Sequence, residues 1–480
     1  MLETLPVDIC LAILSHLDPN DILSIRQTCK ALTQATYFRS VWTKKIADQD
    51  IPIPGLFRRP LEELDAQELE RCVYRALRLH KRWSHPPDDA PLRRIDFGEG
   101  HIALLRFLQC HGHRHLVALR RVKPHGRIWE TSCWDIHADT RAPVCVGRRP
   151  VHGVPSLHGF AFNVDGTNPA IFAMQLDHYK VEIMGLDLTS HDPSKTFVTL
   201  ATYPSRNRKL RHMSGANLIS VDRHERAFLW NQDYDIELRD NLNANHREHD
   251  ARGFLVVQDQ YLFICRMREL LLYVLPPIHL RKGHHILYPV AAHRWQWAID
   301  SICMEPRMPK KKEMPGRPPL INILLRFGSF LPWPINLLHY YTLEPNLSFD
   351  AREAPTSNLP YLFPPQLKRT IAAPILMFSS SHMTLGSYGT ALWIDNHAEE
   401  YFATATRGQR IAGLSCPTLL KESACNAEEA LQDEWKSCTM AAAVYAIQKG
   451  EGWTKLAMDE EEGRIAVGSE DGQILIIDYA

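Results

Sequence analysis

No C-x-x-C pair occurs among the eleven cysteines, which stand singly along the chain, so neither a zinc knuckle nor a redox dithiol is signalled. Unpaired cysteines in odd number fit a reducing, intracellular compartment, and the expected location is cytoplasmic, nuclear or both. Charge of one sign is missing as well, since Lys plus Arg and Asp plus Glu both number 55. That balance speaks against nucleic acid as a partner and gives no pull toward acidic membranes. No stretch approaches the ~18 consecutive apolar residues of a membrane helix. The start, MLETLPVDICLAIL, lacks the basic opening of a secretion signal and carries Glu3 and Asp8. There is no G-x-S-x-G, P-loop, G-x-G-x-x-G or H-E-x-x-H, and no spacing singles out a pair of acids or histidines. The sequence therefore names no catalytic residue, metal or cofactor.

What is present begins with helices. A chain of 480 residues exceeds one compact core, and a hydrophobic share of 45% is that of a globular protein, so at least two domains are expected. In LPVDICLAILSHL, Ile9, Ile13 and Leu17 recur every fourth residue on one face, and Leu14 widens the stripe. Pro6 suits a first helical turn, where its missing N–H would go unpaired anyway. In DPNDILSIRQTCKALTQAT, Asp18 reads as an N-cap, Pro19 as the first helical residue and Asp21 as an acid beside free N–H groups. Ile22, Leu23 and Ile25 give this second helix an apolar face. Thr28 would cap a third, carrying Cys29, Leu32 and Ala35. Three helices this short cannot hide all their apolar surface from one another, so part of it is expected to meet a partner.

Residues 61–84 read as one long helix. Asp65 and Glu68 form a capping-box pattern flanked by the staple pair Leu64 and Leu69, and Pro86 and Pro87 end the run. This helix reads as a spacer between two domains. From about residue 92 the pattern turns strand-like, in runs such as IALLRFL, HLVALRR, AIFAMQL, FLVVQDQYLFI and RIAVGS. One short helical pattern lies near Asn426–Trp435.

A faint repeat favours a ring of blades over a sandwich. SCWDI at Trp134, FLWNQ at Trp230, ALWID at Trp393 and LIIDY at Ile477 each end a strand in an aromatic or aliphatic residue followed by a polar one. Their gaps of 96, 163 and 84 residues correspond to two, three or four, and two units of ~40–50 residues. Seven blades are favoured, with eight as the alternative. Asp471-Gly472 marks a hairpin in the last unit. That unit offers three strands, so residues 92–97 are expected to supply its fourth and close the ring.

The N-terminal residues resemble an F-box: Leu5-Pro6, Ile9, Ile13, Leu17, D-P-N-D-I at 18–22, Leu23, Ile25, Cys29-Lys30 and Val41-Trp42 follow the family pattern. The remainder is similar to the WD-repeat-like propellers found behind F-boxes in fungal proteins, on IAVGSEDGQILIIDY and GTALWID, without the Gly-His dipeptides of well-kept repeats. The resemblance implies a three-helix F-box at residues 1–50, a linker with a long helix at 51–90, and a β-propeller at 91–480 with loop insertions near 306–319 and 351–369. It also implies the substrate receptor of an SCF (cullin–RING) ubiquitin ligase. Leu5, Pro6, Ile9, Ile13, Leu17, Pro19, Ile22, Leu23 and Ile25 would bind the Skp-type linker subunit, which joins the cullin. The propeller would hold a protein target that the sequence does not identify. Two alternatives stand beside it: an F-box protein acting outside a ligase, and a propeller enzyme or binding module with incidental helices.

Two further features have plain readings. Cys110, His111, His113 and His115 are metal-ligand types, yet they fit a solvated hairpin leading into HLVALRR, with no second ligand cluster at zinc spacing. Lys310–Lys312, in a Pro-rich loop, fit a solvated segment better than an import signal.

Overall fold

In the computed structural model the chain is described over residues 5–479, apart from 49–50, 55–60, 88, 111–112, 123–127, 137–141, 152–158, 177–178, 191, 241–250, 309–316, 329–334, 351–357, 375–381, 397–407, 416–442 and 451. Five α-helices come first: α1 (Val7–His16), α2 (Pro19–Arg26), α3 (Lys30–Thr36), α4 (Arg39–Asp48) and α5 (Ala66–Ser84). Pro6 stands at the N-cap position of α1, one residue before its first turn, and Asp18 stands at the N-cap position of α2 without a side-chain cap bond, with Pro19 as the first helical residue. Cys29 rather than Thr28 caps α3, because the Thr28 hydroxyl turns back and donates to the Ile25 carbonyl at 2.7 Å. A fourth helix, α4, follows the three expected; it is held by Trp42, whose ring is fully buried and whose Nε1–H donates to the Thr36 carbonyl at 2.8 Å.

The capping box of α5 is formed as the sequence indicates. Asp65 accepts from the Glu68 N–H at 2.8 Å and its own N–H donates to Glu68 at 3.0 Å, with Leu64 and Leu69 buried beside it. The helix begins at Ala66, after a single 3₁₀ turn at Leu61–Glu63. It is also more than a spacer. Its first half packs Leu69, Val73 and Ala76 into the core of the helical module, and its second half packs Leu79 and Trp83 into the core of the β domain. One helix is thus shared by two cores.

The β domain starts with β1 (Leu92–Asp96), and the strands that follow group into sheets of four. The first blade is β2 (His101–Cys110), β3 (His113–Arg121), β4 (Trp129–Asp135) and β5 (Val144–Val151). The second is β6 (Phe160–Phe162), β7 (Ala170–Leu176), β8 (Lys180–Leu186) and β9 (Phe197–Pro204). The third is β10 (Lys209–Ser214), β11 (Asn217–Val221), β12 (Ala227–Trp230) and β13 (Tyr234–Leu238). The fourth takes β14 (Ala251–Val257), β15 (Tyr261–Arg266) and β16 (Glu269–Val274); the chain then detours through β17 (Gly283–Leu287), which pairs in parallel with β13, before β18 (Ala291–Arg294) completes it. The fifth is β19 (Ile299–Pro306), β20 (Ile321–Phe327), β21 (Ile335–Leu343) and β22 (Gln366–Pro374). The sixth is β23 (Met383–Leu385), β24 (Ala391–Asn396), β25 (Gly408–Leu414) and β26 (Ala443–Lys449). The seventh combines β27 (Trp453–Asp459), β28 (Arg464–Ser469) and β29 (Gln473–Asp478) with β1.

β1 is the outer strand beside β29, antiparallel, with Leu92 opposite Ile477 and Asp96 opposite Gln473. The two ends of the domain therefore close a seven-bladed propeller, and each blade-to-blade interface has its own apolar cluster. Trp134 packs between the seventh and first blades, Trp230 between the second and third, and Trp393 between the fifth and sixth. Each indole N–H has a partner: Ser132 at 2.7 Å, Ser220 at 2.8 Å and Asp395 at 3.2 Å. Changing any one of them to Ala is expected to cost about 3–5 kcal/mol, measured by denaturant unfolding.

The repeat spacing misleads at one point. Trp393 sits on the second strand of its blade and Ile477 lies only one blade further on, whereas 84 residues suggested two. Residues 397–407 and 416–442, outside the described residues, take up the excess length, and the helical pattern near Asn426–Trp435 lies among them. Lys310–Lys312 are outside the described residues too. The expected insertion at 351–369 is partly wrong. Gln366 already begins β22, and Tyr361 is fully buried, its ring edge-on to Phe263 at 5.2 Å and Tyr261 at 5.8 Å. An aromatic plug between the fourth and fifth blades was hidden among prolines.

Candidate partner-binding site

The helical module divides α1 into two faces. Cys10 and Leu14, one turn apart, are buried with Trp42, Ile46 and Leu69. On the other side Ile9 and Ile13 remain 49% and 37% exposed, and Val7, in the first turn, is 53% exposed. Pro6 is exposed, and Leu5 and Leu17 are half-buried against the core. Leu23 and Ile25 are half-buried on α2. Pro19 and Ile22 go into the core instead: Ile22 is fully buried, and the Pro19 carbonyl accepts the Tyr74 hydroxyl of α5 at 2.5 Å. Those two residues hold α2 in place and do not line the exposed face. The step of about 100° between Ile22 and Leu23 decides this, and an apolar stripe read from sequence cannot say which side a neighbouring helix will cover.

Three apolar residues outside the expected set join the exposed surface: Val7, Tyr37 and Phe38. Tandem aromatics directly after a short helix were the available signal for the last two. Arg26 fixes this corner. Its guanidinium grips Glu70 of α5 through bonds of 2.9 and 2.8 Å and lies 4.4 Å over the Tyr37 ring. The Glu70 carboxylate holds Arg26 above the ordinary arginine range. From α4, the Lys45 ammonium caps α1 by donating to the Ser15 carbonyl at 2.9 Å, and burial pushes its pKa down. Charged ties on one side leave a rigid apolar face on the other.

α5 sets that face relative to the propeller. Trp83 lies between Tyr445 and Tyr479, with ring centroids 5.5 and 5.7 Å away, and its Nε1–H donates to the Glu460 carbonyl at 3.3 Å. The Tyr445 hydroxyl donates back to the Trp83 carbonyl, Arg82 donates to the Tyr479 carbonyl at 2.9 Å, and the Ser84 and Ser415 hydroxyls meet at 3.0 Å. Glu460 is in the turn from β27 to β28, so the helix docks on the end of the propeller that carries the turns between first and second strands. The opposite end is left clear of it.

Among the described residues no group of three His, Cys, Asp or Glu could hold a metal ion. Cys110 pairs with His113 across the β2–β3 hairpin, and His115 is buried within β3. No described helix is long and apolar enough to cross a membrane.

These elements define a class: a small helical module with an exposed apolar face, fixed by a shared helix to one end of a seven-bladed propeller. Residues 2–46 match the family described as F-box-like, and this part of the chain is an F-box-like domain. No curated protein matches the sequence. Among solved structures, a chain in a humanized mutant of the Chaetomium thermophilum Polycomb Repressive Complex 2 bound to the inhibitor GSK126 aligns at a TM-score of 0.48 and 9% identity, over 81% of this chain and 97% of that one. A chain in the same complex bound to GSK343 gives the same values. A likeness this distant carries no argument about function.

Proposed function

We propose that this protein is the substrate-receptor subunit of an SCF (cullin–RING) ubiquitin ligase. The observation that carries the reading is the exposed apolar surface of α1, Ile9 and Ile13 on one face with Val7 in the first turn, on a domain matched as F-box-like. That face docks on the Skp-type linker subunit, with Leu5, Pro6, Ile9, Ile13, Leu17, Leu23 and Ile25 as the contact residues and Pro19 and Ile22 supporting them from below. The linker joins the cullin. The propeller end opposite α5 presents a protein target, because docking of the helix leaves that end clear. The protein's contribution is proximity, raising the effective concentration of target lysines near activated ubiquitin. No step of chemistry is assigned to its own side chains. Cytoplasm or nucleus is the place where such a complex works.

The test is to express the tagged full chain in a eukaryotic cell, purify it, and identify what copurifies. Recovery of linker and cullin in stoichiometric amounts supports the ligase. Recovery of the linker without cullin supports a two-subunit complex acting elsewhere, and recovery of neither overturns the reading.

A further inference from the structure

The third blade has a fifth strand, and among the described residues it is the only blade that does. This strand is β17, within residues 276–290, PPIHLRKGHHILYPV, which run from the third to the fourth strand of the next blade. The segment is firmly seated. Arg281 is 1% exposed, donates to the Pro276 carbonyl at 2.6 Å and to the Asp259 carbonyl, and lies 5.8 Å over the Tyr234 ring. Leu287 packs against the core between the third and fourth blades. The Gly283 N–H donates to the Asp233 carbonyl at 3.2 Å, and the Arg239 N–H donates to the Leu287 carbonyl at 2.9 Å.

Those two bonds fix which backbone groups the fold uses. Alternate residues of a parallel strand bond to the same neighbour, so Gly283, His285 and Leu287 turn their N–H and C=O groups to β13. His284 and Ile286 turn theirs to the opposite edge, where no described strand pairs. Side chains alternate as well. Leu287 lies beside Leu238 on the core side, and Ile286, 41% exposed, lies on the other face beside Glu237. An open edge of this kind is a template for a further strand. Charge decides which strand would suit it. Residues 276–290 contain no Asp or Glu, whereas they contain Arg281, Lys282 and three histidines, and Lys282 and His284 are exposed. On the Ile286 face, Arg226 and Arg239 share Glu237 at 3.5 and 3.0 Å, and Arg206 and Arg208 share Asp235, both at 2.6 Å. Asp222 also binds Arg226, and Asp233 stands at the start of the strand. With Lys282, the cations still outnumber the acids.

We propose that the open edge of β17 docks an extended acidic segment of a partner protein, which joins the third blade as a further strand. Backbone bonds to His284 and Ile286 hold it, and its apolar side chains pack beside Ile286. Its carboxylates meet Lys282 and the exposed guanidinium groups of Arg206, Arg226 and Arg239. Pro276, Pro277 and Pro289 bracket the strand and limit pairing to a short segment. The seating through Arg281 preforms the edge and lowers the ordering cost of binding. This site is on the outer edge of the third blade, whereas α5 docks on the sixth and seventh, so it stands independently of the ligase reading.

The experiment titrates the full chain against short labelled peptides by fluorescence anisotropy. One peptide alternates Glu and Val, a second alternates Lys and Val, and a third is the first with a central Pro. Binding is expected for the Glu–Val peptide alone, weakening as salt rises. Ile286→Pro should lower that affinity roughly a hundredfold, because it removes an N–H from the open edge and leaves the bonds to β13 in place. Lys282→Glu should lower it about tenfold. Both variants should melt as wild type does; if Ile286→Pro melts lower, Lys282→Glu decides. Equal affinity for the Glu–Val and Lys–Val peptides, or full-strength binding by Lys282→Glu, overturns the proposal. Absence of binding by all three peptides overturns it too and leaves β17 as a strand that only seals the blade. A dimer of the free chain that Ile286→Pro dissociates would assign the edge to a second copy instead, and likewise overturn it.

Discussion

Truncation after Glu470 will leave the propeller insoluble. The missing segment is β29, which lies between β28 and β1 and joins the two ends of the domain. It carries Ile474, Ile476 and Ile477, and Tyr479 follows directly after it, all at most 1% exposed. Full burial of each such side chain contributes about 1.5–3 kcal/mol, so the four together approach the whole stability of an ordinary domain. Their loss would also expose the edges of β28 and β1, which are templates for aggregation. A soluble truncated chain with an unchanged melting temperature would show that the ring does not depend on this closure.

Trp83→Ala is expected to cost about 3–5 kcal/mol. More telling is its effect on cooperativity. The indole is 1% exposed, fills the space between Tyr445 and Tyr479, and is the main apolar tie between α5 and the sixth and seventh blades. Wild-type chain should melt in one calorimetric transition, since α5 belongs to both cores. The variant should separate into a helical and a propeller transition. Trp83→Phe, which keeps the ring and loses the bond to Glu460, should fall between the two. A variant that melts as one unit within about 1 kcal/mol of wild type would place the coupling elsewhere.

Much of this architecture was legible in the sequence, where local chemistry alone decides. The Asp65–Glu68 box, the Asp18-Pro19 helix start and the Asp471-Gly472 hairpin are fixed by groups a few residues apart. Closure by residues 92–97 followed from counting strands, because a ring must finish its last blade. What depends on distant packing was not legible. Tyr361 reads as part of a proline-rich loop until Phe263 and Tyr261, about a hundred residues earlier, provide its pocket. Ile22 and Leu23 are both apolar neighbours on α2, and only the placement of α3 to α5 buries the first and leaves the second half-exposed. The dual role of α5 was hidden for the same reason. Its apolar stripe announces burial without saying that two different cores share it.

The adaptor reading is tested most directly by Ile9→Asp. Ile9 is 49% exposed on α1, on the side away from Cys10 and Leu14, so the free chain should tolerate a carboxylate there. In a complex the same charge would be forced into an apolar interface without a partner, at a cost of several kcal/mol and orders of magnitude in affinity. The measurement is a side-by-side pull-down of wild type and Ile9→Asp with the Skp-type linker and cullin, with propeller melting followed in the same preparations. The account predicts that wild type captures both subunits, the variant captures neither, and the melting temperatures agree. Capture of the linker by the variant at wild-type strength, or by neither protein, would contradict it.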